Sequence, residues 1–335
     1  MLDRFLSQRL RYKEGRTIHP NREKKNSVQE KGRKDVIRKF KNDIYRFEER
    51  PCSSCSSSEF DKISDVDRHG LYFPMSICRS CGLVQANPVL RKEDYIDFYA
   101  NHYRNLYSAR TGFPSAEKLL SQSERNDSQA RRLLKNEYLA KLASENRTLL
   151  DIGCGGGNFT LSWARHNFKA IGYDYNEEYQ IVGRELGADL RIGGLEDALK
   201  EHEPDVIFYN HVMEHVRDIE LELKLAWEGL KEGGCLVIVV PGLRRIRSTY
   251  WGDLRDFFQM AHVFNFTKET LQSIVEAVGF STLHVDGHIR GIFLKTKHNK
   301  NPFKTDWQHY EDTFRFLRNT ERDYFHEEKI YARPK

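Results

Sequence analysis

Long apolar runs are missing from this 335-residue chain: no stretch of about 18 apolar residues occurs, which excludes a transmembrane helix. The opening, MLDRFLSQRLRYK, has no extended apolar core of the secretory type, so a cytoplasmic protein is expected. Cysteine is scarce, at six residues. Disulfides are rare in that compartment, and four of the six stand in two close pairs, a pattern that points to metal. Internal repeats and low-complexity tracts are also absent. Net charge is small, +5, but uneven. Residues 1–50 hold 16 Lys or Arg against 8 Asp or Glu, leaving 38 against 41 for the rest. The body therefore lacks the overall basic charge of a nucleic-acid binder.

What is present, 39% hydrophobic residues, suffices for one large α/β domain and a smaller module. Five spans are expected: a basic helical extension over 1–50, the cysteine pairs over 51–90, a helical connector or substrate lid over 91–147, an alternating α/β domain over 148–297, and a helical appendage over 298–335. In the first, Val36, Ile37, Phe40, Ile44 and Phe47 recur at helical spacing, which predicts a basic amphipathic helix over 33–49. Three readings of it stay open: packing on the body, contact with an anionic membrane or lipid-linked substrate, and a nucleic-acid-binding or unassigned tail. Strands are predicted at 148–152, 169–174, 188–192, 206–210, 234–241, 281–288 and 291–297. Their alternation with helical patterns argues for a parallel, doubly wound sheet. Only Ile289 and Arg290 join the last two, too little for a crossover helix, so one strand must be antiparallel. An aromatic-rich helix is expected over 304–328, with Trp307, Tyr310, Phe314 and Leu317 on one side.

The segment LLDIGCGGGNFT reads as strand, glycine-rich turn and helix. Gly153, Gly155 and Gly157 let the backbone turn sharply and let a ligand approach. Asp151 puts a carboxylate at the strand tip, which suits an ammonium group better than a diphosphate. The next strand ends in GYDYN, and Asp174 lies at about the offset where an acid meets ribose hydroxyls.

Taken together, LDIGCGGG, GYD, PDVIFYNHVMEHV and LKEGGCLVIVVPG resemble the motif series of class I S-adenosylmethionine (SAM)-dependent methyltransferases, over roughly residues 115–297. The resemblance implies a Rossmann-like α/β fold with a seven-stranded sheet of order 3-2-1-4-5-7-6. It implies that Asp151, Gly153 and Gly155 contact the methionine part of SAM, that Asp174 holds the ribose, and that Tyr175 and the backbone at Leu195 meet the adenine. Asn210 and His211 would line the methyl-donor end.

Cys52-x-x-Cys55 and Cys78-x-x-Cys81 are expected to supply four thiolates for one tetrahedral, structural zinc ion, which leaves no open position for catalysis; unligated cysteines in a loop and a redox pair are the other readings. Cys154 and Cys235 read as packing residues. The segment CRSCGLVQANPVLRKEDYIDFYANHY is similar to the N-terminal zinc module of bacterial methyltransferases acting on sugars and glycans. There, Phe98, Tyr99 and Tyr103 would either wall a sugar or pack the module.

Methyl transfer to a hydroxyl needs a base, and a histidine is suited to that task near neutral pH. His211 and His215 in NHVMEHV and His262 in QMAHVFNFT are the candidates. Glu214 and His215 have a second reading, as residues that cap and pack the next helix, and so has His262, as an N-terminal anchor for the helix starting near Thr267. Sugar C-methyltransferases of this architecture carry Tyr-x-Glu-His where this chain has QMAH, and they carry a further C-terminal domain. Both departures favour O-methylation of a sugar hydroxyl. Arg244, Arg245 and Arg247 are candidate phosphate ligands or a solvated loop, and Trp251 stacks on a sugar or pins that loop. The expected partner is thus a small-molecule or glycan acceptor, with a phosphate-bearing one included. Peripheral contact at the inner membrane face through the basic N-terminus is a further reading, and the oligomeric state is left open. RNA methylation is the alternative, against which no NPPY or DPPY follows the fourth strand; sugar C-methylation and a non-catalytic SAM-binding protein complete the set.

Overall fold

The computed structural model describes residues 7, 10–11, 27–108, 115–296 and 306–330, the last six of these as backbone. Most of the basic extension before residue 27, and the first part of the C-terminal appendage, lie outside the described residues. The chain divides into two compact units. The first is assembled from Met1–Gly112, Gly242–Thr270 and Lys304–Lys335, the second from Phe113–Pro241 and Leu271–Phe303. Contiguous spans, as expected from the sequence, do not express this division.

In the first unit, helix α1 covers Ser27–Lys41, starting earlier than the expected 33–49 and stopping sooner. The stop is local: Asp43 takes a left-handed conformation, φ 56°, and reverses the chain. Phe47 then lies in a short strand, β1 (Phe47–Glu48), rather than in the helix. The reversal still brings Phe47 onto Phe40, with ring centroids 5.5 Å apart, but it leaves Ile44 exposed. Strands β2 (Phe60–Val66), β3 (Tyr72–Cys78) and β4 (Val84–Ala86) form an antiparallel meander. β5 (Val89–Leu90) pairs with β1. Helix α2 (Lys92–Asn101) and a π-helical turn, Arg104–Ser108, follow. Helix α1 packs on that turn: the Gln29 side chain donates to the Leu106 carbonyl at 3.0 Å. Packing was one of its three readings.

The second unit opens with α3 (Ala116–Leu133) and α4 (Glu137–Ser144), capped by the side chains of Ser115 and Asn136. Then β6 (Thr148–Ile152), α5 (Asn158–Arg165), β7 (Lys169–Asp174), α6 (Glu177–Glu185), β8 (Asp189–Ile192), α7 (Leu195–Glu201), β9 (Val206–Asn210), α8 (Ile219–Gly229) and β10 (Cys235–Val239) alternate.

The chain next returns to the first unit. Short helices α9 (Ile246–Thr249) and α10 (Leu254–Phe257) lead to β11 (Phe264–Asn265). This strand pairs antiparallel with β4, making the meander four-stranded.

After α11 (Lys268–Val278), β12 (Phe280–Val285) and β13 (Arg290–Lys295) complete the large sheet. Its order is β8-β7-β6-β9-β10-β13-β12, the expected 3-2-1-4-5-7-6, with β13 antiparallel to β10. The final hairpin turns earlier than expected because the Asp286 carboxylate accepts the amides of His288 and Arg290 and closes the turn there. Leu149, Val206, Phe208, Val237 and Ile292 from the sheet pack with Trp163 and Phe168 in its core.

The long helix α12 (Trp307–Ile330) belongs to the first unit. Tyr310 and Leu317 are buried on it as expected, whereas Trp307 is exposed. Among the described residues, no helix is long and apolar enough to cross a membrane.

Candidate functional site

At the carboxyl edge of the large sheet, β6 and β7 run parallel in a register that pairs Asp151 with Gly172. The glycine turn therefore rises beside the end of β7. The Gly155 amide donates to the Asp174 carboxylate at 3.0 Å, and the Asn176 amide donates to the other oxygen at 2.8 Å. Gly153, Gly155 and Gly157 all have positive φ. A side chain at Gly153 would strike Val212, and one at Gly157 would strike Leu190, but one at Gly155 would meet open space. The middle glycine thus turns a bare backbone surface outward, as a closely approaching ligand requires.

Asp151 is buried beneath this surface, and its carboxylate accepts from the Thr160 hydroxyl at 2.7 Å. Burial, reinforced by the negative charge of Asp174, pushes its pKa up to about 7 even though the Thr160 hydrogen bond opposes the shift. An ammonium group would relieve that penalty. Tyr175 follows β7 and is largely exposed, while Leu195 is buried at the start of α7. An acid at the strand tip, an open glycine, a second acid and an exposed ring fit a positively charged nucleoside cofactor such as SAM.

Asn210 ends β9, and its side-chain oxygen accepts from Gln129 of α3 at 3.1 Å. His211 comes next in a left-handed conformation, φ 56°, with its amide bonded to the Val239 carbonyl at 2.8 Å. Few residues other than glycine adopt this conformation, and histidine is among the more tolerant. Its Nδ1 lies 3.2 Å from the Glu214 carboxylate, and His215 Nε2 lies 3.7 Å from the same oxygen. The His211 ring meets solvent on one side, yet the surrounding protein desolvates it and acts to lower its pKa. Glu214, through the hydrogen bond and its charge, outweighs that and the weaker opposition of Arg125, so the net shift is upward. Neither Gln129 nor Thr160 stood out in the sequence; only the fold shows them anchoring Asn210 and Asp151.

His262 lies in the first unit, buried, with its amide donating to the Gln259 carbonyl at 2.8 Å. Of the aromatic group, Phe98 is buried and packs the unit, while Tyr99 stacks on Tyr103 at 4.6 Å. Phe98 therefore cannot wall a ligand. Arg244 donates to the Asp312 carbonyl and the Thr313 hydroxyl, and Arg247 donates to Thr320 and pairs with Asp323 at 2.8 Å. Both guanidinium groups also lie over the Phe316 ring. These two arginines fasten α12, which weighs against phosphate binding. Trp251 is exposed, so it does not pin the loop by burial.

The four paired cysteines converge in the first unit, with all four sulfurs within 4.8 Å of one another. Cys52 and Cys81 sulfurs are 3.6 Å apart, and those of Cys55 and Cys78 are 3.4 Å apart. A zinc ion held at about 2.3 Å by four sulfurs sets tetrahedral edges of about 3.8 Å, so the arrangement fits. The 22 residues between the pairs form the β2–β3 hairpin, which explains the long gap. Gly82, at φ 73°, turns the second pair, and a side chain there would strike His309 and Tyr310 of α12. Cys154 and Cys235 lie outside the cluster; burial raises both thiols, Cys235 to about 12.

Residues 123–285 match a family model described as a methyltransferase domain. The trans-aconitate 2-methyltransferase of Mycolicibacterium gilvum is 30% identical over 154 residues, covering 43% of this chain and 58% of that protein. The ubiquinone biosynthesis O-methyltransferase of Hydrogenovibrio crunogenus is 27% identical over 171 residues, covering 48% of this chain and 69% of that protein. The chain thus spans only part of the length of these relatives. Among solved structures, a SAM-dependent methyltransferase from Archaeoglobus fulgidus aligns at 21% identity with a TM-score of 0.38, over 60% of this chain and 86% of that one. Residues 123–285, built on the seven-stranded sheet and its glycine turn, thus match a methyltransferase domain on a Rossmann-like fold.

Proposed function

We propose that the protein transfers a methyl group from SAM to a hydroxyl of a sugar, presented as a nucleotide-sugar, a surface glycan or a lipid-linked saccharide. The observation that carries the cofactor is the open backbone at Gly155, set between the buried Asp151 and the Asp174 carboxylate. In this reading Asp151 faces the ammonium group and Asp174 accepts from the ribose hydroxyls. SAM supplies an activated methyl group; the protein orients the acceptor and takes its proton. His211, His215 and His262 are the candidate bases. An oxygen acceptor is supported by the O-methyltransferase name of the ubiquinone-pathway relatives. The sugar is supported by the resemblance of the cysteine-bearing segment to glycan-modifying enzymes. The four cysteines hold a structural zinc ion, supported by their spacing. A cytoplasmic location, with the basic N-terminus touching the inner membrane face, completes the proposal.

The test is label transfer. The full chain is incubated with methyl-labelled SAM and, separately, with nucleotide-sugars, extracted glycans and total RNA. Label on a sugar oxygen with stoichiometric release of S-adenosylhomocysteine is expected. Label on RNA, or on a sugar carbon, would replace the acceptor; SAM failing to bind at all would refute the reading.

A further inference from the structure

The loop after β9 holds one carboxylate that the fold does not explain. Glu214 is 1% exposed, and one of its oxygens, Oε2, is buried with no hydrogen-bond partner among the described residues. A buried carboxylate oxygen left without a partner is costly, so packing alone does not account for it. The capping alternative also fails. Helix α8 is capped by Asp218, whose side chain accepts from the Leu221 amide, and no backbone amide among the described residues donates to Glu214. What Glu214 does hold is an imidazole: its Oε1 is 3.2 Å from Nδ1 of His211. His211 in turn follows β9 in a left-handed backbone conformation, with its side chain about half exposed.

We infer that Glu214 is a positioning residue for His211: its carboxylate accepts a hydrogen bond from Nδ1–H, fixes that tautomer, and leaves the Nε2 lone pair to receive the acceptor's proton. The inference rests on the proposed methyl transfer and narrows the base within the methyltransferase unit to His211. The step balances. The acceptor oxygen bonds the methyl carbon as the carbon–sulfur bond breaks, the sulfonium becomes a neutral thioether, and the hydroxyl proton passes to Nε2. The resulting imidazolium is balanced by the Glu214 carboxylate. The charged groups facing this pair within the unit are Arg125 on α3, which opposes protonation of His211, and His215, 3.7 Å from the same Glu214 oxygen. The arrangement follows the general logic of a base oriented by a third group.

The test uses the full chain labelled with 15N-histidine. In the wild type, His211 should show the Nδ1-protonated tautomer and titrate above about 6.5, the ordinary histidine value. In Glu214→Gln the midpoint should fall to about 6.5 or below. Turnover should drop about tenfold or more while KM for SAM stays within about twofold. In a His211→Ala background the same change should cost no further turnover. If the tautomer and midpoint are unchanged in Glu214→Gln, or if Glu214→Gln costs as much without His211, the inference is wrong. Should Glu214→Gln not fold, Glu214→Asp retains the charge but withdraws it by one methylene. Unchanged turnover and midpoint in that variant would equally overturn the role. The resonance measurement needs no acceptor, so a chain that pairs His211 with Glu214 yet methylates nothing would refute the proposed function and not the pairing.

Discussion

The elevated pKa of Asp151 predicts that an isosteric loss of charge will stabilise the protein and abolish a pH dependence of cofactor binding. The group titrates near 7 when folded and near 3.9 when unfolded. Between those values the folded state binds the extra proton, so stability falls as pH rises and levels off above about 7. At about 1.4 kcal/mol per unit, a shift of about three units sets an upper bound of about 4 kcal/mol. Asp151→Asn has no such term. Urea unfolding of both proteins from pH 4 to 8.5 should show a gap that opens above pH 4 and stops growing above pH 7. Taking the difference cancels carboxylates such as Asp127 and Asp286, whose lowered pKa values act in the opposite direction. On the binding side, SAM carries the ammonium that stabilises the ionised acid. Wild-type affinity should therefore rise with pH up to about 7, by at most about tenfold per unit, with proton release visible by calorimetry in two buffers. The variant should bind more weakly and without that slope. Parallel stability curves for the two proteins across this range would show that Asp151 does not titrate as its surroundings require.

The glycine turn should separate binding from stability. Gly155→Ala places a methyl group in open space at positive φ, so it should cost only about 1 kcal/mol of stability but at least about tenfold in SAM affinity by calorimetry. Gly157→Ala collides with Leu190 and should cost about 2–4 kcal/mol in denaturant. The full chain should carry about one zinc ion by mass spectrometry, and Cys78→Ser should release it. Arg247→Ala removes the ion pair with Asp323 and the hydrogen bond to Thr320 and should cost about 1–2 kcal/mol, with no change in acceptor KM. A raised KM for a phosphorylated acceptor would instead assign that guanidinium to the substrate.

Legibility followed locality. β6, β7 and β9 were read to the residue because each is a short apolar run closed by glycine, aspartate or asparagine. The meeting of the glycine turn with Asp174 followed from two parallel neighbours in register. The cysteine pairs were legible from spacing alone. What stayed hidden was non-local. Two residues, Phe264 and Asn265, form β11 only because β4 is there to receive them, and no periodicity marks so short a strand. Arg244 and Arg247 read as a basic rim until α12 supplied Thr313, Thr320 and Asp323. Glu214 read as part of a helix start because the left-handed turn at His211, which aims the ring at it, is not encoded in hydrophobic pattern.

The excursion of residues 242–270 sets the timetable of synthesis. Cys52, Cys55, Cys78 and Cys81 and their β2–β4 meander leave the ribosome first, but the strand that completes their sheet is nearly two hundred residues downstream of Cys81. The helix that fills the space beside Gly82 comes later still. An edge of β4 therefore waits uncovered while the whole run from β6 to β10 is made. Long-range pairings of this kind form slowly, and nascent chains stalled before β11 should be the ones that recruit chaperones and aggregate.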